Sequence, residues 1–241
     1  MKFTRLKIIL IAKIFLLNLG GALYADTQFK CDQNGEFCIC EVDPDSAISF
    51  TIDTKIIGEQ SFEFSAPAEY FQVFYLKPRP GSIRRATSLT IHGEHFGPWP
   101  SHLRKASSEG PIVNMLLTTY VPLQKVGESA LSVYSRPEGR DAATLEERPS
   151  DYGLTELLYA TNGKRFKARK LVYLARNETN EITNVISCFV PGPANFSQCA
   201  HTIETRLIDV RMSYGIEMLP EWRSLERKAR SLIDCFTPEN N

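Results

Sequence analysis

The sequence has few histidines and tryptophans and no surplus of charge. Its 241 residues include four histidines, two tryptophans and 28 basic against 28 acidic side chains. A protein that binds nucleic acid needs a cationic face for the phosphates. The charge balance therefore argues against a nucleic-acid partner.

Motifs for catalysis are also missing from the sequence. There is no Gly-x-Ser-x-Gly segment to expose a serine nucleophile and no glycine-rich phosphate loop. The acidic residues are scattered, so no pair of carboxylates stands out as an acid–base couple. Cys199 and His201 would share one face of a strand, but a disulfide is the more ordinary use of an exported cysteine. The sequence predicts a protein that is not an enzyme and that needs no cofactor.

The N-terminal segment has the pattern of a secretory signal peptide. A basic start is followed by a mostly apolar run over residues 8–17 and by small residues ending at Ala25. Lys13 interrupts the apolar run and leaves it shorter than a bilayer span. We expect residues 1–25 to be removed on export to the periplasm, with no stable membrane insertion afterwards. An uncleaved anchor is the alternative.

All six cysteines follow this segment. An even number of cysteines beyond a signal peptide predicts disulfides in an oxidising compartment. Cys188 and Cys199 flank a Pro-Gly-Pro turn and form the most favoured pair, and one of the three N-terminal cysteines is expected to reach Cys235. A zinc cluster is the alternative, but the spacing of the N-terminal cysteines lacks the usual paired motif. The disulfide candidates are Cys31, Cys38, Cys40, Cys188, Cys199 and Cys235.

Short strand patterns follow one another along the chain. Glycine and proline separate them, which is typical of antiparallel sheet. The expected fold class is α+β, mainly antiparallel sheet, with a C-terminal amphipathic helix packed on the sheet; one lobe and two lobes are both open. The predicted strands up to residue 134 are Ala47–Ile52, Ser61–Ser65, Phe71–Leu76, Ala86–His92, Pro111–Val121 and Ser129–Tyr134.

A charged segment is expected to divide the chain. Residues 137–150 are rich in Glu, Arg and Pro and are predicted to be a loop or linker, with a short helix over Ala142–Glu147 as an alternative. The expected domains are an N-terminal β-rich lobe over residues 26–136 and a sheet-plus-helix lobe over residues 151–241.

The last third of the chain has the clearest pattern. From Ile208 to Tyr214 apolar and polar residues alternate, which predicts a strand with one buried face. Beyond it, apolar residues recur at three- and four-residue steps from Trp222 to Phe236, which predicts an amphipathic helix. Pro220 suits the first turn of that helix.

The densest group of functional side chains lies between His92 and His102. Glycine and proline around it favour a loop over a helix. The aromatic and imidazole side chains are typical of residues that anchor an interface. A metal site of His92, His95 and Glu94 is the alternative, although the spacing is not that of a helical zinc motif. The candidate partner-binding residues are His92, His95, Phe96 and Trp99.

The C-terminal part resembles the periplasmic immunity proteins of bacterial type VI secretion systems, in particular those paired with lipase-type effectors. The resemblance covers about residues 150–236 and implies a cysteine-bracketed hairpin, a Tyr-ended strand and a closing helix. The segments that carry it are Tyr152-Gly153-Leu154, Leu171-Val172-Tyr173-Leu174, Ile186-Ser187-Cys188, Cys199-Ala200-His201, Arg211-Met212-Ser213-Tyr214 and Leu219-Pro220-Glu221-Trp222.

This resemblance implies a protein that binds a cognate secreted effector, a phospholipase-type toxin, and neutralises it in the periplasm. The loops at His92–His102 and Arg136–Ser150 are the expected contact surfaces, since loops on a rigid scaffold commonly carry binding residues. Two alternatives stay open: an envelope ligand-binding or assembly protein without catalytic activity, and a metal-dependent hydrolase that uses the His92–His102 loop.

Overall fold

The computed structural model describes residues 28–43, 45–53, 61–71, 77–99, 111–119, 121–135, 144–161, 164–165, 170–189, 197–206 and 208–237. Strands dominate these described residues, and two α-helices accompany the strands there. The strands are β1 Gln28–Cys31, β2 Cys38–Glu41, β3 Ala47–Asp53, β4 Ser61–Pro67, β5 Ser82–Arg84, β6 Ala86–His92, β7 Ile112–Thr118, β8 Thr144–Pro149, β9 Thr155–Thr161, β10 Lys164–Arg165, β11 Lys170–Arg176, β12 Ile182–Phe189, β13 Gln198–Glu204 and β14 Asp209–Gly215. The helices are α1 Leu123–Ser135 and α2 Trp222–Phe236.

A nine-stranded sheet is the centre of the fold. Its order is β10-β9-β11-β12-β13-β14-β7-β6, with β8 also paired to β9. The pairings within it are antiparallel. Helix α2 packs on one face of this sheet, so the α+β fold with a C-terminal helix on the sheet is confirmed.

Two smaller β elements pack on the same side as α2. Strands β4, β3 and β5 form a three-stranded sheet in which β5 runs parallel to β3. Strands β1 and β2 form a hairpin whose turn lies against α2. A side chain at Gly35 would come within 2.9 Å of Lys228 Cγ, and its φ of +72° is one that glycine adopts without strain. Gly35 therefore permits the close approach of hairpin and helix.

The C-terminal helix follows the predicted apolar stripe. Trp222, Leu225 and Phe236 are among its buried residues, and they face the core between the sheet and the hairpin. Pro220 precedes the α-helix instead of lying in its first turn. It belongs to a 3-10 helix over Ile216–Glu221 that leads into α2. The strand before it, β14, buries its even positions as predicted, but Asp209 on its other face is buried too.

Helix α1 replaces a predicted strand. The sequence predicts a strand over Ser129–Tyr134, and this prediction is wrong because these residues belong to α1. Leu123, Ala130 and Leu131 recur at helical spacing and pack with Val185 in a second apolar cluster on the other face of the sheet. Packing on the sheet therefore decides the structure of a short apolar segment whose period is ambiguous.

The predicted linker is partly a strand. Residues 144–149 form β8 at the edge of the large sheet, where the sequence predicts a loop or a short helix. Its three consecutive charged residues, Glu146, Glu147 and Arg148, suit an exposed edge strand, because charge protects such a strand from edge-to-edge association. Strands β6 and β7 precede this segment and β9 to β14 follow it, so both sides contribute to one sheet. The expected division at residues 137–150 thus coincides with no break in the sheet.

Three disulfides cross-link the described elements. Cys188–Cys199 joins the paired strands β12 and β13, as predicted. The pair Cys40–Cys235 ties the N-terminal hairpin to α2 across 195 residues, also as predicted, and the remaining pair Cys31–Cys38 closes the hairpin itself.

None of the helices in the described part of the chain has both the length and the apolar character that a membrane span requires. The predicted signal peptide and the predicted strand segment at residues 72–76 lie outside the described residues.

Candidate functional site

The loop after β6 turns back on its own strand. Ile91 and Pro98 form a bridge, and the Trp99 amide donates to the Thr90 carbonyl at 3.2 Å. At the tip, the Phe96 amide donates to the His92 carbonyl at 2.9 Å, and Phe96 itself has a φ of +60°. The described part of the loop is thus a tight turn with internal hydrogen bonds.

Three successive carbonyls of this turn hold distant parts of the chain. Lys228 Nζ of α2 donates to the Glu94 carbonyl at 2.6 Å, and the Cys31 amide of β1 donates to the His95 carbonyl at 3.0 Å. Tyr70 Oη donates to the Phe96 carbonyl at 3.2 Å. Burial lowers the pKa of the Lys228 amine, while the carboxylates of Glu221 and Asp32 act in the opposite direction. The turn is therefore a structural junction between the helix, the hairpin and the core.

Burial corrects the prediction for two of the four partner-binding candidates. Phe96 is 0% exposed and Trp99 is 5% exposed, so neither side chain is available as an interface anchor. They are buried because the turn folds its aromatic residues under the junction, where Phe96 lies below the Lys228 amine. Their aromatic character reflects packing rather than recognition.

The two histidines of the turn are half-exposed and stack on each other. The His92 and His95 rings are parallel within 7° and their centroids are 4.2 Å apart. His92 Nδ1 accepts from the Glu94 amide at 3.2 Å, and His95 Nδ1 accepts from the Gly97 amide at 3.1 Å. Burial, and then the neighbouring His92, lower the pKa of His95. Burial and the neighbouring His92 therefore favour the neutral form of the His95 ring.

The described side chains of this turn do not have the geometry of a metal site. Within the described ranges, no three His, Cys, Asp or Glu side chains converge in a way that would hold a metal ion. His102, the third histidine of the predicted cluster, lies outside those ranges.

A cleft of about 440 Å³ lies beside the junction. Glu94, Glu217 and Glu221 line it together with Met218. Its chemistry is that of an acidic surface recess with an apolar wall.

Cys199 and His201, which share one face of a strand, have structural roles. Cys199 is in a disulfide, and His201 is fully buried beneath α2. His201 Nε2 lies 2.7 Å from Asn184 Oδ1, and Tyr214 Oη lies 3.2 Å from His201 Nδ1. Asn184 continues the network to Glu226 of α2 at 3.1 Å. Burial, and then the Arg230 charge, lower the pKa of His201 to about 3, so the ring is neutral.

Among the described residues, one half of the large sheet has an accessible face. Helix α1 covers the face opposite α2 only over β9, β11, β12 and β13. Beyond it, the outward side chains of β6, β7 and β14 are exposed or half-buried apart from the buried Asp209, and no described helix covers these three strands. We call this surface the open face; it comprises Ser88, Thr90, Asn114, Leu116, Arg211 and Ser213.

The register of the strands orders the open face in two rows. Asn114 lies between Thr90 and Ser213, and Leu116 lies between Ser88 and Arg211. Thr90 Oγ1 donates to Asn114 Oδ1 at 3.3 Å, which fixes the first row. The sequence does not predict this surface. Apolar residues on both faces of Pro111–Val121 are expected for a central strand, and β7 lies between β14 and β6, but this pattern does not show that Leu116 is 37% exposed.

Comparison with known proteins gives structural neighbours but no family. No protein-family model and no curated protein matches the chain. Among solved structures, the chain is similar to Smlt3025, an immunity protein of the Stenotrophomonas maltophilia type IV secretion system. That similarity has a TM-score of 0.48 and 16% identity and covers 76% of this chain and 97% of that one. It is also similar to the Neisseria meningitidis iron-regulated outer membrane lipoprotein FrpD, with a TM-score of 0.42, 9% identity and coverage of 89% and 98%.

Proposed function

We propose that this chain is an exported immunity protein that binds a cognate toxic effector of a secretion system and neutralises it without catalysis. The observation that carries the proposal is the open face: a regular, exposed sheet surface on a scaffold cross-linked by three disulfides. A surface of this kind suits tight protein binding because little conformational freedom is lost on association.

The cysteine and histidine side chains within the described residues support binding rather than chemistry. The described cysteines are all in disulfides. His201 is buried in a network with Asn184 and Tyr214, and His92 and His95 are stacked with their Nδ1 atoms bonded. These contacts assign the side chains structural roles.

The proposed location is the periplasm. The signal-like segment at residues 1–25 and the three disulfides support it, because disulfides persist in oxidising compartments. The N-terminal hairpin is tied to the C-terminal helix by Cys40–Cys235, which is suited to a protein that functions outside the cytoplasm.

The finer part of the proposal is the effector class. The segments over about residues 150–236 resemble type VI immunity proteins paired with lipase-type effectors, and we propose a phospholipase-type toxin on that ground.

The proposal is tested by capture and by protection. The chain is expressed from its full coding sequence in its own host, purified from the periplasm and challenged with lysate that contains the secreted effectors. We expect one stoichiometric partner of toxin size, and we expect deletion of this gene to sensitise cells to siblings that secrete this partner. A lipid or a metal that co-purifies in place of a protein, together with unchanged survival of the deletion strain, would contradict the proposal.

A further inference from the structure

We infer that the turn at Asp151–Gly153 is a contact point for the effector, and that the Tyr152 ring enters an apolar pocket of that protein. This inference deepens the proposed function and depends on it for the identity of the partner. The turn is bonded to α2, which packs on the sheet face opposite the open face, so this contact is separate from the open face. The backbone of the turn, the exposure of the ring and the rigidity of its attachment carry the inference.

The turn joins the edge strand β8 to β9 and has an unusual residue at its centre. Tyr152 and Gly153 have φ values of +63° and +67°, and the Leu154 amide donates to the Asp151 carbonyl at 3.3 Å. Turns with positive φ at both central residues favour Asn-Gly or Asp-Gly. A bulky L-residue is disfavoured there because its β-carbon comes too close to the following carbonyl oxygen. Tyrosine at the first central position is therefore unfavourable for the backbone.

The described residues include three non-glycine residues with positive φ, and Tyr152 differs from the other two. Asn180, at +66°, lies in the turn between β11 and β12, and asparagine adopts this conformation readily. Phe96, at +60°, is 0% exposed, so burial of its ring compensates the backbone. The Tyr152 side chain is 46% exposed and has no hydrogen bond or ring contact to another described residue. Burial compensates this backbone only in part, and the described contacts do not account for a tyrosine here.

Helix α2 holds the turn in place. The Tyr152 carbonyl accepts from Trp222 Nε1 at 3.0 Å and from Arg223 Nη1 at 3.3 Å. The Arg223 guanidinium also lies over the Trp222 ring, 4.6 Å from its centroid. Trp222 is 4% exposed and belongs to the core. The backbone of Tyr152 is thus fixed to the core, so its side chain is presented with little loss of conformational freedom on binding.

The residues around the ring indicate the kind of partner. Tyrosine and arginine are enriched among the side chains that dominate the energetics of protein interfaces, and Tyr152 and Arg223 are both exposed here. Asp151 and Glu221 are exposed close by in the chain, so the surface has charges of both signs and its net charge does not select the partner. A single ring among charged side chains fits an apolar pocket of a protein, whereas a membrane surface calls for a broad apolar face.

The experiment measures affinity and stability on the same variants of the full chain, purified from the periplasm. Affinity is measured for the captured partner in a catalytically inactivated form. Tyr152→Asn is expected to raise Kd about tenfold or more, because the ring is lost. The same change is expected to raise the thermal midpoint by about 2–4 °C, because asparagine suits positive φ. Opposite effects on stability and binding are typical of a residue that serves function rather than folding.

Two variants serve as controls. Tyr152→Phe keeps the ring and is expected to change Kd less than about threefold, since the pocket is apolar. Asn180→Tyr places a tyrosine at nearly the same φ in an exposed turn that has no part in the inference. It is expected to lower the thermal midpoint by about 2–4 °C and to leave Kd within about twofold of wild type.

Three results would overturn the inference and leave the proposed function standing. Binding of Tyr152→Asn within about twofold of wild type would show that the turn is not a contact. A lower thermal midpoint of Tyr152→Asn would show that the tyrosine has a structural role. Equal losses of affinity in Tyr152→Phe and Tyr152→Asn would show that the pocket is not apolar. If the wild-type chain binds no effector at all, the proposed function itself fails, and this inference fails with it.

Discussion

The two faces of the large sheet are made by the same strands, yet they use different residues for different purposes. On the α2 face, His201, Trp222 and Tyr214 are buried in one packed core. On the open face, Thr90 and Ser213 are small, polar and accessible. The side chains that resemble catalytic or interface residues are thus on the packed side, and residues without conspicuous chemistry form the accessible side. Burial therefore distinguishes the packed residues from the accessible ones, whereas residue type alone does not.

The largest predicted effect concerns the cross-link on the α2 side. Replacing Cys40 and Cys235 by Ser is expected to lower the free energy of unfolding by up to about 5 kcal/mol, since the bond closes a 195-residue loop in the unfolded chain. Replacing Cys31 and Cys38 should cost about 2 kcal/mol, because that loop spans only 7 residues. Guanidinium unfolding followed by tryptophan fluorescence measures both. Equal losses would show that loop closure is not the source of the stability.

Neighbouring residues of β7 compare the two faces directly. Met115 is 0% exposed on the α2 side, so Met115→Ala is expected to cost about 2–5 kcal/mol from lost packing and the cavity left behind. Leu116 points to the open face, and Leu116→Ala should change the stability by less than about 0.5 kcal/mol. Urea unfolding of both variants checks this pair. A large loss for Leu116→Ala would mean that the open face is covered within the chain itself.

The junction at the His92–Trp99 turn is expected to depend on Lys228. Lys228→Met keeps the apolar part of the side chain but removes the donor to the Glu94 carbonyl, which should cost about 1–3 kcal/mol. Arg227→Met is the control: it removes the two hydrogen bonds that Nε and Nη2 of this exposed neighbour donate to the Asn34 carbonyl, and it should cost less. Thermal unfolding of both proteins gives the comparison. Similar losses of stability in the two variants would show that the Lys228 hydrogen bond to the turn contributes no more than the exposed Arg227 contacts.

The two faces should also respond to pH with opposite signs. His201 has a pKa of about 3 in the fold against 6.5 ordinarily, so only the unfolded chain binds its proton between these values, and stability falls on acidification. Burial raises the pKa of Asp209 to about 6 from 3.8, so the folded state binds that proton first, and stability is lost as pH rises through 6. Between pH 4 and 6 the two contributions oppose each other.

Asp209→Asn removes one of these contributions and keeps an oxygen for the Val121 amide. The variant is expected to lose stability between pH 6 and pH 4 more steeply than wild type, by up to about 1.4 kcal/mol per pH unit. Denaturant unfolding at intervals across this range measures the difference. Parallel curves for the two proteins would show that Asp209 does not take up a proton on folding.

Local patterns predict much of this fold. Strand β6 has the bounds that its alternation predicts, and the C-terminal helix follows the apolar stripe from Trp222 to Phe236. The pairing of Cys188 with Cys199 follows from two strand ends joined by a turn. In these cases the period of the apolar residues and the nearest turn decide the structure.

Where contacts between distant residues decide, the sequence predicts poorly. The sequence does not predict helix α1. A short apolar segment is compatible with a strand or a helix, and here its packing against the sheet favours the helix. The burial of Phe96 follows from Tyr70 and Lys228, which lie far away in the chain. The open face was missed for the same reason, since a single strand pattern does not show whether a second layer covers it.

The central claim is inhibition by binding, and a titration of effector activity tests it most directly. A fixed amount of the partner captured from the secreted effectors is mixed with increasing amounts of this protein, and the toxin's own reaction is followed. The account predicts that activity falls linearly to zero at one equivalent and that Tyr152→Asn shifts the curve to higher concentration. Complete loss of activity far below one equivalent, or no loss at several equivalents, would contradict it.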